Sequence, residues 1–554
     1  MIGIVSAILT AGICVLAPRS ADRLASVDES GVMRWSDNGC EVSLMGVNYY
    51  VPFNWDYRQI AKKGLDHKEV IRRDVAHFRR LGVEVLRMHC HDSDLSRADG
   101  SLRDNEHWDL LDFIIAECAS NGIYSVLTPI AAWGGDWFSG AAEGFSYNVG
   151  VKNLFADHSR WPAQIRYLKE FASHTNRYTG KSIGTDPAVL CFELVNEPKY
   201  PKDASGEDIA HYANTLRDAL RGGGTDKPIF YNATWATYAG KTDPALAALP
   251  YLKTEGVSGV CYCTGLLNRK AHEGLKLDTV RKSTLSIGPA TKRFAKMIYE
   301  FDAADIPGAY MYPAMAAMFR RDGAQIAAQF QYDPLPTADV NASYQTHYLN
   351  LFFTPAKALS LAVAIEAFGA VPRHTPFTPH TNELHFLSFR VNAESNLSEY
   401  VSPTRFYYTA STQTMPPAPE KLEHIWGCGR SSVAASTGNG AYFLDKISKG
   451  CWLLQLGPDT ENIADPYTGQ KGVKTKLLPR EIGFGVRLAD LGENYRATRI
   501  QDLKHIGNAR NGRMMFMAGS YILSSGSMPA PSKELAAFAQ ACGFEAFNVQ
   551  NTAP

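Results

Sequence analysis

Two apolar runs in this chain end on carboxylates. Phe192-Glu193-Leu194-Val195-Asn196-Glu197-Pro198 carries Glu193 and Glu197, and Met297-Ile298-Tyr299-Glu300-Phe301-Asp302 carries Glu300. Each run reads as a strand that meets solvent at its carboxylate. Two carboxylic groups so placed can serve as general acid, general base or nucleophile, provided that one is kept protonated and the other ionised. A second cluster, His89-Cys90-His91-Asp92, offers metal-ligand types. Alternate residues of one strand supply only two ligands, with no obvious third, so hydrogen-bonded polar residues at a strand end are the plainer reading. If that strand runs on to Asp92, Arg87, His89 and His91 share one face.

Such residues act only if a fold gathers them, and the surrounding pattern specifies one. From Leu44 to about Phe368, short apolar runs alternate with amphipathic stripes. Strands are expected at Leu44–Tyr50, Val83–His89, Ile123–Ile130, Val189–Val195, Ile229–Asn232, Val257–Cys263, Met297–Phe301 and Gln325–Gln331. Helices are expected between them, for instance at Lys68–Leu81, Glu106–Asn121, Trp161–Tyr178 and Gly206–Arg221, with a long apolar helix at Tyr344–Phe368 closing the series. Eight strands alternating with helices fit an α/β fold, the (β/α)8 TIM barrel, whose active face lies at the C-terminal ends of the strands. The rival, a doubly wound sheet, announces itself by a glycine-rich phosphate turn after its first strand. Gly46-Val47-Asn48 offers none. The segment 369–383 is rich in Pro, Thr and His and reads as a linker. Beyond it, 384–554 reads as a mainly β, sandwich-like accessory domain of short strands and turns. The barrel itself is expected over 24–368.

Placed on that barrel, the Asn-Glu-Pro run resembles the signature of retaining glycoside hydrolases of the (β/α)8 clan that includes the family 5 cellulases and mannanases. The resemblance covers about 44–368 and does not extend to the C-terminal third. It implies that Glu197, ending strand four, is the acid/base and that Glu300, ending strand seven, is the nucleophile of a double displacement on a β-linked glycan. That chemistry requires one acid to protonate the leaving oxygen and one carboxylate roughly 5–5.5 Å away to attack the anomeric carbon. Arg87 resembles the clan's strand-two arginine beside the nucleophile. Tyr262 resembles its strand-six tyrosine, and Asn196 the asparagine that contacts the 2-hydroxyl. Glu193, on the same face as Glu197, is the rival carboxylate and is expected to be structural, paired with a buried base. The sequence also departs from family 5. Thr128-Pro129-Ile130 stands where a histidine ends strand three, Val260 where another precedes the tyrosine, and Phe330-Gln331-Tyr332 in place of the strand-eight tryptophan. His89 and His91 are candidates to occupy the vacated space.

Aromatic residues crowd the expected strand ends: Tyr49, Tyr50, Trp55, Trp133, Trp137, Trp235 and Tyr312. Sugar rings present apolar C–H faces that such platforms fit, so Trp133, Trp137 and Trp235 are candidate subsite walls. The long segment Thr264–Ala295 is expected to wall one end of a cleft, which favours exo action. No cofactor is required.

Composition agrees with an uncharged substrate. The 554 residues carry 56 Lys+Arg and 56 Asp+Glu, so no global field exists to hold nucleic acid. An alternative without catalysis, a carbohydrate-binding protein on a decayed barrel, is motivated by the missing histidines and opposed by the two retained glutamates. Met1–Ala17 is apolar and uncharged, followed by small residues, so 1–21 is expected to be a signal peptide and the protein secreted or periplasmic. No later stretch reads as a membrane span, and the oligomeric state is left open.

Overall fold

The computed structural model describes residues 21–131, 143–147, 149–233, 244–265, 276–282, 291–304, 306, 308–339, 347–376, 382–464, 471–526 and 531–547. Eight parallel strands close into a barrel: β1 (Leu44–Asn48), β2 (Val85–His89), β3 (Tyr124–Thr128), β4 (Val189–Glu193), β5 (Ile229–Asn232), β6 (Gly256–Tyr262), β7 (Ala295–Asp302) and β8 (Ile326–Gln329). Closure is made by β8 on β1, with Ile326 opposite Leu44 and Gln329 opposite Val47. Gly46 is required in β1, because a Cβ there would lie 1.8 Å from the Val85 carbonyl oxygen of β2.

The connecting helices carry the stop and start signals of their sequence. Asp66 caps helix His67–Leu81 by accepting from the Lys68 and Glu69 amides, and Gly82 ends it in the left-handed region at φ 77°. Asn105 and Ser205 cap Glu106–Ser120 and Gly206–Gly222 in the same way. Two expected helices are shorter than the apolar pattern implies. Trp161–Tyr178 stops at Ser173. The closing helix spans Pro355–Ala370 rather than beginning near Tyr344, with Pro355 at its first turn. Just before it, Asn350 accepts from the Phe352 and Phe353 amides, so the apolar run 347–353 is a buried loop.

The C-terminal part is mainly β. A ten-stranded sheet runs from Glu383–Phe386 to its far edge at His505–Asn508. A three-stranded sheet (Ala434–Ser436, Ile482–Val486, Arg513–Phe516) and a hairpin (Asp459–Ala464 with Lys471–Leu478) accompany it. The ten-stranded sheet opens with a hairpin of Glu383–Phe386 and Phe389–Asn392 turned at Leu387, which has φ 47°. Cys428 and Cys451 are both buried free thiols.

Barrel and β region share one apolar core, in which Phe352, Tyr407, Trp426, Phe443 and Phe544 meet. Arg80 reaches from helix His67–Leu81 into the sheet. There it donates to Asp445 (2.6 Å) and Gln455 (3.1 Å) and lies over the Trp426 and Phe443 rings. Among the described residues no helix is long and apolar enough to cross a membrane.

Candidate active site

The lower barrel is filled by apolar side chains, including Val85, Val126, Cys191, Val260, Met297 and Ile326. Above them, at the C-terminal ends of the strands, lies a buried polar layer that Arg87 organises. Its guanidinium donates from Nε to Glu193 Oε2 (3.0 Å), and Nη2 also reaches that oxygen. Nη1 donates to Glu300 Oε1 (3.1 Å) and Asn48 Oδ1 (3.0 Å) and lies 2.7 Å from His89 Nε2, and Nη2 donates to Asn196 Oδ1 (3.0 Å). One cation therefore ties strands β1, β2, β4 and β7 together. Burial works against the charge on Arg87, but Glu193 and Glu300 outweigh it and hold its pKa above the usual arginine value.

Glu193 is fully buried, and both its oxygens are committed. Oε2 accepts from Thr128 Oγ1 (2.8 Å) as well as Arg87, and Oε1 accepts from Asn232 Nδ2 (3.0 Å) and the Ser258 hydroxyl. Thr128, where a histidine was expected from the resemblance, is thus a donor to this carboxylate.

Glu300 is met by three side chains: Arg87, His89 Nε2 at 3.2 Å, and the Tyr262 hydroxyl, which donates to Oε2 at 2.8 Å. Burial alone would raise its pKa. The contact with His89, the charge of Arg87 and the Tyr262 hydroxyl reverse that and hold it below the ordinary glutamate value. His89 is itself pushed down by burial and by Arg87.

Glu197 has different surroundings. Its Oε1 accepts a hydrogen bond from the Tyr299 hydroxyl (2.9 Å). Burial raises its carboxyl, the negative charge of Glu300 adds to this, and the result is about 7. Its backbone sits at φ 43°, in the left-handed region. Strand β4 ends at Glu193, and the turn that follows carries Asn196 and Glu197, with the Asn196 amide donating to the Ile130 carbonyl (2.8 Å).

Tyr299 and Glu300 are consecutive, yet both engage the site. Strand alternation would send one of them outward. Strand β7 has one residue more than each neighbour: Gly259 and Val260 of β6 oppose Ile298 and Glu300, and Ala327 and Gln329 of β8 oppose Ile298 and Phe301. This bulge lets the consecutive Tyr299 and Glu300 both face inward. The Tyr299 ring lies against Arg87 (4.7 Å) and its hydroxyl reaches Glu197.

The rim adds rings. Tyr50 packs on His89 (4.9 Å) and Phe330 (5.8 Å), and Phe330 meets Tyr262 and His347. Behind them Asp302 accepts from Tyr312 (2.6 Å) and His347 Nδ1 (3.0 Å), with the buried Lys357 at 3.5 Å. His347 in turn packs on Tyr262 (5.1 Å).

The structure therefore brings Arg87, His89, Asn196, Glu197, Tyr262 and Glu300 into one group. It does not bring His91 to them. Strand β2 ends at His89 rather than running to Asp92, which opens a short helix, and His91 stacks on Phe53 (5.5 Å). Tyr49 points outward to Asp74, and Tyr312 is committed to Asp302. Trp133, Trp137 and Trp235 lie outside the described residues, as does much of Thr264–Ala295. The sequence reading passed over Asn48, Thr128, Asn232 and Ser258. Asn48 and Asn232 carry the same signal as the glutamates, a polar residue where an apolar strand ends. Tyr299 lies inside the apolar run and carries no such signal.

Tyr262→Phe removes one donor from Glu300 without changing volume. Loss of a hydrogen bond to a charged group is worth about 1.5–3 kcal/mol, so a fall of about 10–100-fold in kcat/KM is expected. The acidic limb of the pH profile should move upward, because the ionised form of Glu300 loses support. Unchanged kinetics would show that this contact does not hold Glu300.

No protein-family profile matches the chain. A rice protein bearing the name mannan endo-1,4-β-mannosidase 9 is 31% identical over 114 residues, which is 19% of this chain and 27% of that protein. Mannan endo-1,4-β-mannosidase 2 of Arabidopsis thaliana is 28% identical over 114 residues, 19% of this chain and 26% of its own length. The chain spans about a quarter of the length of the curated relatives it matches. Among solved structures, it is similar to an endo-1,4-β-mannanase from Rhizomucor miehei, with a TM-score of 0.46 and 14% identity over 62% of this chain and 99% of that one. It is also similar to an endo-β-1,4-mannanase from Thermotoga petrophila, with a TM-score of 0.46 and 13% identity over 87% and 98%.

Proposed function

We propose that this chain is a retaining β-glycosidase acting on a β-1,4-linked mannan or its oligosaccharides. The observation that carries the reading is the divergence of two carboxyls at the ends of β4 and β7: Glu197 raised to about 7, Glu300 held low. Near neutral pH one is an acid and the other an anion, the division of labour that double displacement needs. The choice of mannan rests on the names of the sequence relatives.

In the first step Glu300 attacks the anomeric carbon while Glu197 gives its proton to the departing glycosidic oxygen. A covalent glycosyl ester forms on Glu300, and the leaving sugar departs neutral. Esterification removes the charge that helps to raise Glu197, so the acidity of Glu197 increases just after it has lost its proton. It is then suited to take a proton from water, which attacks the anomeric carbon and frees Glu300 with retained configuration. Arg87 and Tyr262 stabilise Glu300 as the anion and as the leaving carboxylate. Asn196, held by Arg87, is suited to contact the sugar's 2-hydroxyl, and the Tyr50, Tyr262 and Phe330 rings form the floor. Trp133, Trp137 and Trp235 are proposed as further subsite walls. The apolar segment Met1–Ala17 supports export, which N-terminal sequencing of the mature protein would test.

The pH dependence follows from the two carboxyls. Activity requires Glu300 ionised and Glu197 protonated. It should be lost as pH falls below the ordinary glutamate range and lost again as pH rises through about 7. A profile of kcat/KM with its alkaline limb near neutrality is the expected result, and a flat profile from pH 6 to 9 would contradict it.

The reading is tested by product stereochemistry and trapping. Proton NMR of early hydrolysis of an aryl β-mannoside should show the β-anomer first. A 2-deoxy-2-fluoro mannosyl fluoride should label the peptide containing Glu300. First release of the α-anomer, or labelling of another residue, would overturn the mechanism. Binding of mannan with no hydrolysis of any β-glycoside would instead favour a carbohydrate-binding protein on this barrel.

A further inference from the structure

Far from the barrel mouth in sequence, the three-stranded sheet Ala434–Ser436, Ile482–Val486 and Arg513–Phe516 presents a second concave surface. One face of this sheet is core: Ala434, Ile482, Phe484, Val486 and Phe516 are buried there. By strand alternation the opposite face carries Ala435, Gly483, Gly485, Arg513 and Met515. Beside it lies a cavity of about 620 Å³ lined by Arg487, Arg510 and Arg513, with the Glu493 carboxylate among its lining residues.

The local chemistry of this face is unusual in the chain. Four other arginines of the β region hold carboxylates, Arg390 with Glu383, Arg405 with Glu366, Arg480 with Asp459 and Arg499 with Asp502, while Arg496 stands alone on the ten-stranded sheet without an ion pair among the described residues. Arg430, Arg487, Arg510 and Arg513 are all exposed, and among the described residues none has an ion pair. Two of them are forced together. Arg510 and Arg513 flank Asn511-Gly512, whose φ values of 51° and 70° make a two-residue turn of the I′ type, closed by backbone bonds of 3.0 and 3.1 Å between the two arginines. Like charges directly opposite each other across a hairpin oppose folding. A rigid turn that nevertheless fixes them side by side, with Arg487 beside them and little carboxylate to answer them, leaves a positive concavity that an anion would neutralise by forked hydrogen bonds.

The register extends the surface. Arg513 is opposite Gly485, Gly485 opposite Ala435, and Ala435 opposite Arg430. The two outer arginines are three strand spacings apart, roughly 14 Å, more than one carboxylate can bridge. The floor between them is low: a Cβ on Gly485 would come within 3.1 Å of Arg513 Cγ, so the arginine stem lies across a position that only glycine leaves open. An extended ligand with several negative charges fits this strip better than a compact one. No aromatic ring stands on the outward positions Ala435, Gly483, Gly485, Arg513 and Met515, so the base-stacking platforms of single-strand nucleic-acid sites are missing there.

We infer that this face binds a polyanionic polysaccharide bearing carboxylate groups. The need for an anion rests on the arginines alone, and the choice of a polysaccharide rests on the glycosidase reading of the barrel. Affinity electrophoresis of the full chain through gels cast with polygalacturonate, neutral mannan or an oligothymidylate tests it. Polygalacturonate should retard the wild type, less so as salt rises. The combined Arg487→Gln, Arg510→Gln and Arg513→Gln variant should lose about tenfold or more in apparent affinity, adding Arg430→Gln should weaken it further, and Arg480→Gln should leave it unchanged. The triple variant should hydrolyse aryl β-mannosides like the wild type, and Glu300→Gln should still be retarded. Loss of retardation in the triple variant would therefore uphold this site even if no β-glycoside were hydrolysed. No retardation of the wild type, equal retardation of the triple variant, or retardation by the oligothymidylate as strong as that by polygalacturonate would overturn the inference.

Discussion

Glu300→Gln is expected to lower kcat by about 10³-fold or more, which corresponds to more than about 4 kcal/mol of transition-state stabilisation. The amide has the shape of the carboxylate but cannot attack the anomeric carbon, and no other carboxylate occupies that position on β7. Glu193, the rival, has both oxygens committed to Arg87, Thr128, Asn232 and Ser258 and is buried below the strand end. The same substitution has a second, spectroscopic consequence. Part of what raises Glu197 to about 7 is the charge of Glu300. In Glu300→Gln that charge is gone, and the Glu197 carboxyl should titrate lower, as read by carboxyl NMR or infrared. Burial remains, so it should stay above the ordinary glutamate value. Turnover in Glu300→Gln close to wild type, or a Glu197 titration that does not move, would contradict the pairing of the two groups. The fold should survive, because Arg87 keeps Glu193 as its partner.

Glu193→Gln should act on stability first. It removes one of the two carboxylates of a fully buried arginine and presents an amide nitrogen where Arg87, Thr128, Asn232 and Ser258 all donate. Breaking one side of a buried ion pair costs about 3–5 kcal/mol, a large fraction of the stability of an ordinary domain. The measurement is the denaturant midpoint at neutral pH, with the Asn196 contact reported by any change in KM. Replacing Arg87 and Glu193 together by apolar residues of similar volume should recover part of the stability while leaving the protein inactive, because the cost lies in the uncompensated charge. A Glu193→Gln midpoint equal to wild type would mean that the pair is not what organises the layer.

These two expectations separate what the linear pattern determined from what the assembled barrel decided. Alternating apolar runs and helical stripes were enough for the eight-stranded barrel, because strand and helix periods are local properties and the repeat of eight admits few other closures. The same logic placed Glu197 and Glu300 at strand ends, and the resemblance to the glycoside hydrolase clan singled out Arg87 and Tyr262. Helix ends were less legible: the run 347–353 is apolar because it is a buried loop, and periodicity alone does not distinguish burial in a loop from burial in a helix.

Three features of the site were decided only by tertiary structure. Strand β2 stops at His89, so His91 leaves the face it would have shared with Arg87 and packs on Phe53 instead. The bulge in β7 inserts a residue relative to both neighbouring strands, which lets the consecutive Tyr299 and Glu300 share the inner face; registers between distant strands are not written in either strand alone. The opposed states of the two glutamates depend on which distant groups reach them. Arg87 from β2 and Tyr262 from β6 surround one, while burial beside that first charge raises the other. A carboxylate's residue type is local, but its proton affinity is a sum over neighbours that only the closed barrel brings within reach.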